Sequence, residues 1–414
     1  MRALHPLLLA AVTFASAATA AQHPPRAEAQ LRHVFDRLAQ GRLNDALGEA
    51  DRLVAAYPNF RLAHLLRGDL LLARAQPIAG LGNGAPGARE RLEELRAEAA
   101  VRLRAPNELP PADSVPRHLL QLAPTQRHAI VVDASRSRVY VYENAGGVPR
   151  LVENYYSTRG KRGIEKVREG DQKTPIGVYH VTSSIPGRKL PDLYGWGAFP
   201  LSYPNEWDRL QGRTGYGIWI HGVPTDTYAR APQASDGCIA LANPEIEQLA
   251  KLVQPGLTPV IITKRTDWVA ADAWRAERDA FLLEVESWRA DWESRDAERY
   301  LAHYAAGFRS DGMNLERWRA HKRRVNAGKS WIKVSLSNVS AFLDPSAEPL
   351  MVVTFDQDYR SSNLSQKARK RQYWVQEGGR WKIAYEAAVG RPVLMLPESF
   401  PRARGSSAAQ SSGR

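Results

Sequence analysis

One cysteine in 414 residues constrains this chain more than any other feature. Cys238 has no partner with which to close a disulfide, so a disulfide framework is impossible and a packed core is expected instead. The 43% apolar content permits this, and the length predicts two or three domains rather than one core. The chain also opens like an exported protein. Arg2 and His5 precede an apolar run at 7–14 and a small-residue stretch at 15–21, with Ala18-Thr19-Ala20 as a small-x-small cleavage site. The run is too short to span a bilayer, so residues 1–21 are expected to be a removable secretory signal, with no transmembrane segment after cleavage. In an oxidising compartment a leftover cysteine is either inert and buried or a working thiol.

Net charge is +13, from 57 basic and 44 acidic residues. Such a balance attracts anionic partners, which for an exported chain means envelope polymers and lipids rather than nucleic acid. The basic residues are spread along the chain, as solvated surface charge would be.

The hydrophobic pattern predicts a multidomain α+β chain. Over 27–105 the spacing is helical, and Gly41, Ala46, Pro58, Ala63 and Gly68 resemble one and a half tetratricopeptide repeats, a spacing that an ordinary helical hairpin shares. Residues 89–104 alternate in charge and predict a solvated helix; 106–116 hold four prolines and predict a linker. Strand-like runs at 129–133, 138–143, 151–156, 178–183, 217–220 and 259–263 define a mostly β domain over 125–266. One helix interrupts it, with Asn243 as expected N-cap and Pro244 in the first turn. From 272 to 390, helices followed by consecutive strands predict an α+β cone, with a hairpin turn at Glu377-Gly378-Gly379-Arg380. Seven of the eleven tryptophans lie in this last region, where core filling accounts for most of them. Residues 403–414 are expected to be a disordered tail.

The chemistry concentrates at 218–241. Ile218-Trp219-Ile220-His221-Gly222 reads as a strand ending on a histidine, and Ser235-Asp236-Gly237-Cys238-Ile239-Ala240-Leu241 as a tight turn entering another strand. Two strand ends joined by the intervening loop bring thiol and imidazole together. A free thiol is weakly ionised near neutrality, so a nucleophilic cysteine needs an adjacent base and a group that orients that base. Attack on a carbonyl also needs N–H donors for the oxyanion, and Gly237 and Cys238 are the expected donors. Taken singly, His221 reads as a satisfied strand-end histidine and Cys238 as a small buried residue; the pairing favours nucleophile and base.

His-Gly followed by Ser-x-Gly-Cys-Ile resembles the signature of the L,D-transpeptidase (YkuD-type) catalytic domain. Upstream, Gly170-Asp171-Gln172-Lys173-Thr174-Pro175-Ile176-Gly177-Val178-Tyr179 is similar to that family's Thr-Pro-x-Gly-x-Tyr segment. The resemblance covers 125–266 and implies peptidoglycan stem peptides as substrate. Attack falls on the carbonyl of stem residue 3, with release of D-alanine and no metal or organic cofactor. It implies Cys238 as nucleophile, His221 as base, the Gly222 carbonyl as ring orienter, and Ser235 and Gly237 around the oxyanion. Two positions depart from the common pattern: Asp236 stands where many members carry histidine, and Ala240 where many carry arginine. Substrate carboxylates then need another cation, and Arg159, Lys161, Arg162 and Lys173 are the candidates, with Asp236 and Trp219 also at the substrate. The whole plan resembles L,D-carboxypeptidase-like members with a nuclear-transport-factor-like (SnoaL-like) C-terminal domain that act in cell-shape control, and it implies the periplasm or envelope.

Three readings stay open. A thioester on Cys238 is resolved by an amine, giving a crosslink or protein attachment, or by water, giving an L,D-carboxypeptidase. A non-catalytic wall-binding scaffold is the second, with the helical N-terminus as a surface for protein partners. An ordinary cysteine endopeptidase is the third. Oligomeric state has no signature in the sequence.

Overall fold

The computed structural model describes residues 26–83, 89–310, 312–346 and 349–390. The expected signal at 1–21 and tail at 403–414 lie outside the described residues. Among those described, no helix is long and apolar enough to cross a membrane.

Helices Ala27–Ala39, Leu43–Ala56, Arg61–Ala73 and Arg89–Arg104 form an N-terminal layer. Their apolar faces close around Leu31, Leu53, Phe60, Leu62 and Leu66, and the same cluster takes in Tyr228 and Ala242 of the central region. The tetratricopeptide comparison gains no support from this arrangement. The helix at 89–104 also departs from its expected solvated character, because Glu98 is 2% and Arg102 4% exposed. Arg102 pairs with Glu98 at 2.9 Å and with Glu28, its guanidinium lies 4.0 Å from the Tyr156 ring centroid, and Arg138 reaches Glu28 at 2.6 Å. A buried ion cluster thus joins the helical layer to the central sheet.

That sheet has five strands in the order Val148–Tyr156, Arg138–Ala145, His128–Asp133, Pro259–Thr263, Gly177–His180. Side chains alternate between its faces. Ile130, Val132, Val139, Val141, Val260 and Ile262 face one core, with the helix Asn243–Ala250. Ala129, Val131, Tyr140, Tyr142 and Ile261 face the other, shared with Phe342, Leu350, Val352 and Tyr373 of the C-terminal region. Burial on both faces explains why these strands read as continuous apolar runs.

The C-terminal region wraps a seven-stranded sheet against helices Ala271–Ser294 and Leu315–Ala327. Trp274, Trp288 and Trp374 are fully buried and Trp292 and Trp318 nearly so, as core filling predicts. The hairpin turn is where expected, with positive φ at Gly378 and Gly379 between strands Leu364–Glu377 and Arg380–Ala388. The expected linker is structured: Ser114–Pro116 pairs with Trp268–Ala270, and Leu119–Gln121 adds an edge strand to the C-terminal sheet. At the junction Glu206 accepts from Tyr373 at 2.8 Å and pairs with Arg371 at 3.0 Å, while Trp207 stacks on Tyr373. Burial works to raise the Glu206 carboxyl, but the Arg371 charge, a backbone N–H and the Tyr373 hydroxyl outweigh it and hold the pKa down at about 2.

Candidate active site

A second, four-stranded sheet carries the site, in the order Ile239–Ala240, Trp219–His221, Gly197–Pro200, Ile185–Pro186. The histidine and cysteine strands run parallel, with Ile220 opposite Ile239 and His221 opposite Ala240. Ile220, Ile239 and Phe199 point into the central core. By alternation, Trp219, His221 and Ala198 point to the other face, where Cys238 packs with Trp219, Ala198, Ile185 and Tyr194. Cys238 and His221 therefore share one face of adjacent strands.

The His221 Nδ1 lies 2.5 Å from the Gly222 carbonyl oxygen. A carbonyl only accepts, so Nδ1 donates, and in the neutral ring Nε2 is left as the acceptor. His221 is 3% exposed, and burial drives its pKa down to about 4 despite that bond. Cys238 is half-buried; its thiol donates to the Gly217 carbonyl at 3.3 Å, and burial pushes the thiol up to about 11. At neutral pH the resting pair is thus thiol and imidazole, not thiolate and imidazolium.

Ser235 Oγ accepts from the Gly237 N–H at 3.2 Å and donates to the Cys238 carbonyl at 2.6 Å. The Gly237 N–H is therefore engaged within the turn and does not point into the cleft as expected. Gly237 has φ +128°, and a Cβ there would stand 2.8 Å from the Lys173 carbonyl oxygen, so the close pass of the 170–179 segment requires glycine. Thr174 ties the two segments together: its hydroxyl donates to the Gly237 carbonyl and accepts from the Gly160 N–H, each at 2.9 Å.

The expected substrate residues scatter. Lys161 pairs with Asp236 at 2.8 Å, and Gln172 also donates to Asp236. Arg159 is anchored on the Ala134 carbonyl at 2.8 Å. Arg162 is exposed, and Lys173 is half-buried. Trp219 is 4% exposed, which puts its ring beneath Tyr194, at 5.0 Å between centroids, as floor rather than open stacking surface.

Three contributors had no sequence signal strong enough to single them out. Tyr194 covers the shared face, edge-on to the His221 ring at 5.0 Å. Arg230, in the loop between histidine and cysteine, bears its charge on both. Asn243 is the third, and its expected capping role is replaced: Ala242 occupies the N-cap with no side-chain cap bond. The Asn243 amide instead accepts from Trp196 N–H at 2.9 Å and Val223 N–H at 3.2 Å and donates to the Val223 carbonyl at 2.8 Å. It ties the Val223 backbone to that of Trp196 beside Gly222, where a Cβ would lie 2.3 Å from the same amide oxygen. Replacing Asn243 with alanine removes three such bonds and is expected to cost about 2–4 kcal/mol, read as a lower urea midpoint at unchanged slope. Among the described residues no group of three or more His, Cys, Asp or Glu is placed to hold a metal ion.

Comparison with known proteins identifies two regions. Residues 127–262 match the L,D-transpeptidase catalytic domain family, YkuD, and residues 280–387 match the Cds6 C-terminal NTF2-like domain. A candidate L,D-transpeptidase of Escherichia coli K12, YafK, is 29% identical over 118 residues, which is 28% of this chain and 43% of YafK. The match thus spans less than half of that relative. Among solved structures, Bd1075 of Bdellovibrio bacteriovorus is 29% identical, with a TM-score of 0.59 over 67% of this chain and 99% of that one. The helical cell shape determining protein Pgp2 of Campylobacter jejuni is 26% identical, with a TM-score of 0.55 over 66% of this chain and 95% of its own. The chain therefore carries an L,D-transpeptidase catalytic domain of the YkuD family followed by a Cds6-type NTF2-like domain.

Proposed function

We propose that this chain is a peptidoglycan-modifying cysteine enzyme of the periplasm or cell envelope. Cys238 attacks the carbonyl of stem residue 3 and releases D-alanine. The observation that carries the reading is the shared face of His221 and Cys238, with the ring oriented by the Gly222 carbonyl. Because both groups rest neutral, the proton moves as the C–S bond forms. The thiol turns from the Gly217 carbonyl, its proton passes to His221 Nε2, and the sulfur adds to the carbonyl carbon. The Cys238 N–H is the proposed oxyanion donor. His221 then returns the proton to the departing D-alanine amine, leaving a thioester. Water or an amine, deprotonated by the same imidazole, resolves it to a shortened stem or to a new amide.

Similarity in plan to a helical cell shape determining protein supports a role in wall shaping, and the remodelling of stems is the chemistry such a role needs. The test is to incubate the protein with a disaccharide tetrapeptide, with and without an amine acceptor, and to weigh the products. Loss of D-alanine alone is the carboxypeptidase outcome, and added acceptor mass is the transpeptidase outcome. An unchanged substrate in both arms contradicts the enzyme reading and favours a wall-binding scaffold.

A further inference from the structure

The position two residues beyond the cysteine is Ala240, 2% exposed and opposite His221, so no guanidinium arises there. A different one comes close by another route. Thr158 exchanges backbone bonds with Ala240 at 2.9 and 3.1 Å. The Tyr156 hydroxyl donates to the Arg230 carbonyl at 2.8 Å, and the single proton of the Thr158 hydroxyl faces the carbonyls of Ala231 at 2.9 Å and Arg230 at 3.1 Å. The Arg230 backbone is thereby fixed one strand away from Ala240. Its guanidinium folds back to the Ala234 carbonyl, on the segment that leads into Ser235 and Cys238. One hydrogen bond leaves most of the five N–H donors of the fork for another partner.

Two of the neighbouring cations are neutralised, whereas Arg159 is held only by the Ala134 carbonyl. Lys166, whose charge also bears on Cys238, pairs with Asp171 at 2.8 Å, and Lys161 pairs with Asp236 at 2.8 Å. Among the described residues, no carboxylate pairs with Arg230. The loop that carries it is held from outside: Asn59 of the helical layer donates to the Thr225 carbonyl at 3.2 Å and accepts from the Tyr228 N–H at 3.1 Å.

We propose that Arg230 binds the free C-terminal carboxylate of the peptide being cleaved, making this residue the specificity determinant for stems that end in an acid. The assignment rests on the function proposed above. A planar fork matches a carboxylate, and a site built for one rejects its uncharged analogue.

The test compares kcat/KM for a stem tetrapeptide and for its C-terminal carboxamide, in the wild type and in Arg230→Gln and Arg230→Lys. Wild type is expected to favour the acid by about 30-fold or more. Arg230→Gln should bring the acid-to-amide ratio close to one, mostly through KM, and Arg230→Lys should recover part of it. Alkylation of Cys238 gives a second readout that needs no turnover: the preference for iodoacetate over iodoacetamide should fall in Arg230→Gln. Equal wild-type turnover of acid and amide, or an equal loss on both in Arg230→Gln with unchanged alkylation preference, overturns the Arg230 assignment while the enzyme reading stands. Wild-type protein that converts neither peptide overturns both.

Discussion

Replacing Cys238 with alanine is expected to abolish release of D-alanine, and replacing His221 with alanine to lower turnover by about 10³–10⁴-fold. In the proposed mechanism the two effects differ because the sulfur forms the bond, whereas water can in part take the proton that His221 accepts. The imidazole matters more here than beside a preformed thiolate. The thiol, pushed up to about 11 by burial, has almost no anionic form at neutral pH without a base. His221, at about 4, is neutral and ready to accept. The expected kcat/KM profile is flat around neutrality and falls on the acid side as pH approaches about 4, where protonation removes the acceptor. Stability follows with its own sign. The folded pKa lies below the ordinary 6.5, so the unfolded chain takes the proton first, and this contribution to stability declines as pH drops below about 6.5. Product analysis across pH and a parallel urea series separate the two effects.

Replacing Arg102 with methionine is expected to cost about 3–5 kcal/mol of stability, the usual consequence of removing one partner from a buried ion cluster. Glu28 and Glu98 lose their shared counter-ion, and Glu245, whose Oε2 is already buried without a hydrogen-bond partner, loses the charge that most favours its ionised form. Burial raises Glu245 to about 7, above its ordinary 4.5. The folded state therefore binds the proton first, and the Glu245 contribution is full below about 4.5 and lost as pH rises through 7. The gap between wild type and Arg102→Met should accordingly narrow at acid pH, where the orphaned carboxyls protonate. Urea midpoints at two pH values check this. Activity should fall as well, because the same helical layer grips the loop between histidine and cysteine through Asn59 and Tyr228.

The central strands and the histidine–cysteine pair were legible because local pattern decides them. Apolar runs such as 129–133 and 259–263 are buried on both faces, and His221 and Cys238 lie at the ends of two short parallel strands paired side by side. What stayed hidden depends on partners far along the chain. Asn243 precedes a proline at a helix start and reads locally as a cap, yet its amide is taken by backbone 47 residues upstream. Glu98 and Arg102 read as solvated helix charge, yet both are buried, and Arg102 pairs with Glu28, 74 residues before it. Gly237 was a reasonable oxyanion donor from its flexibility, but the hydroxyl of Ser235 claims its N–H. Arg230 sits in the loop already flagged, and weighing the cations of that loop against the missing arginine at 240 would have raised it.

The central claim is an acyl group carried on one sulfur. The direct measurement is a single turnover with a stem tetrapeptide, quenched in acid and followed by intact mass and peptide mapping. The account predicts a transient gain equal to the donor less D-alanine, located on the peptide that contains Cys238. Release of D-alanine at the full rate by protein whose Cys238 has first been alkylated would contradict it.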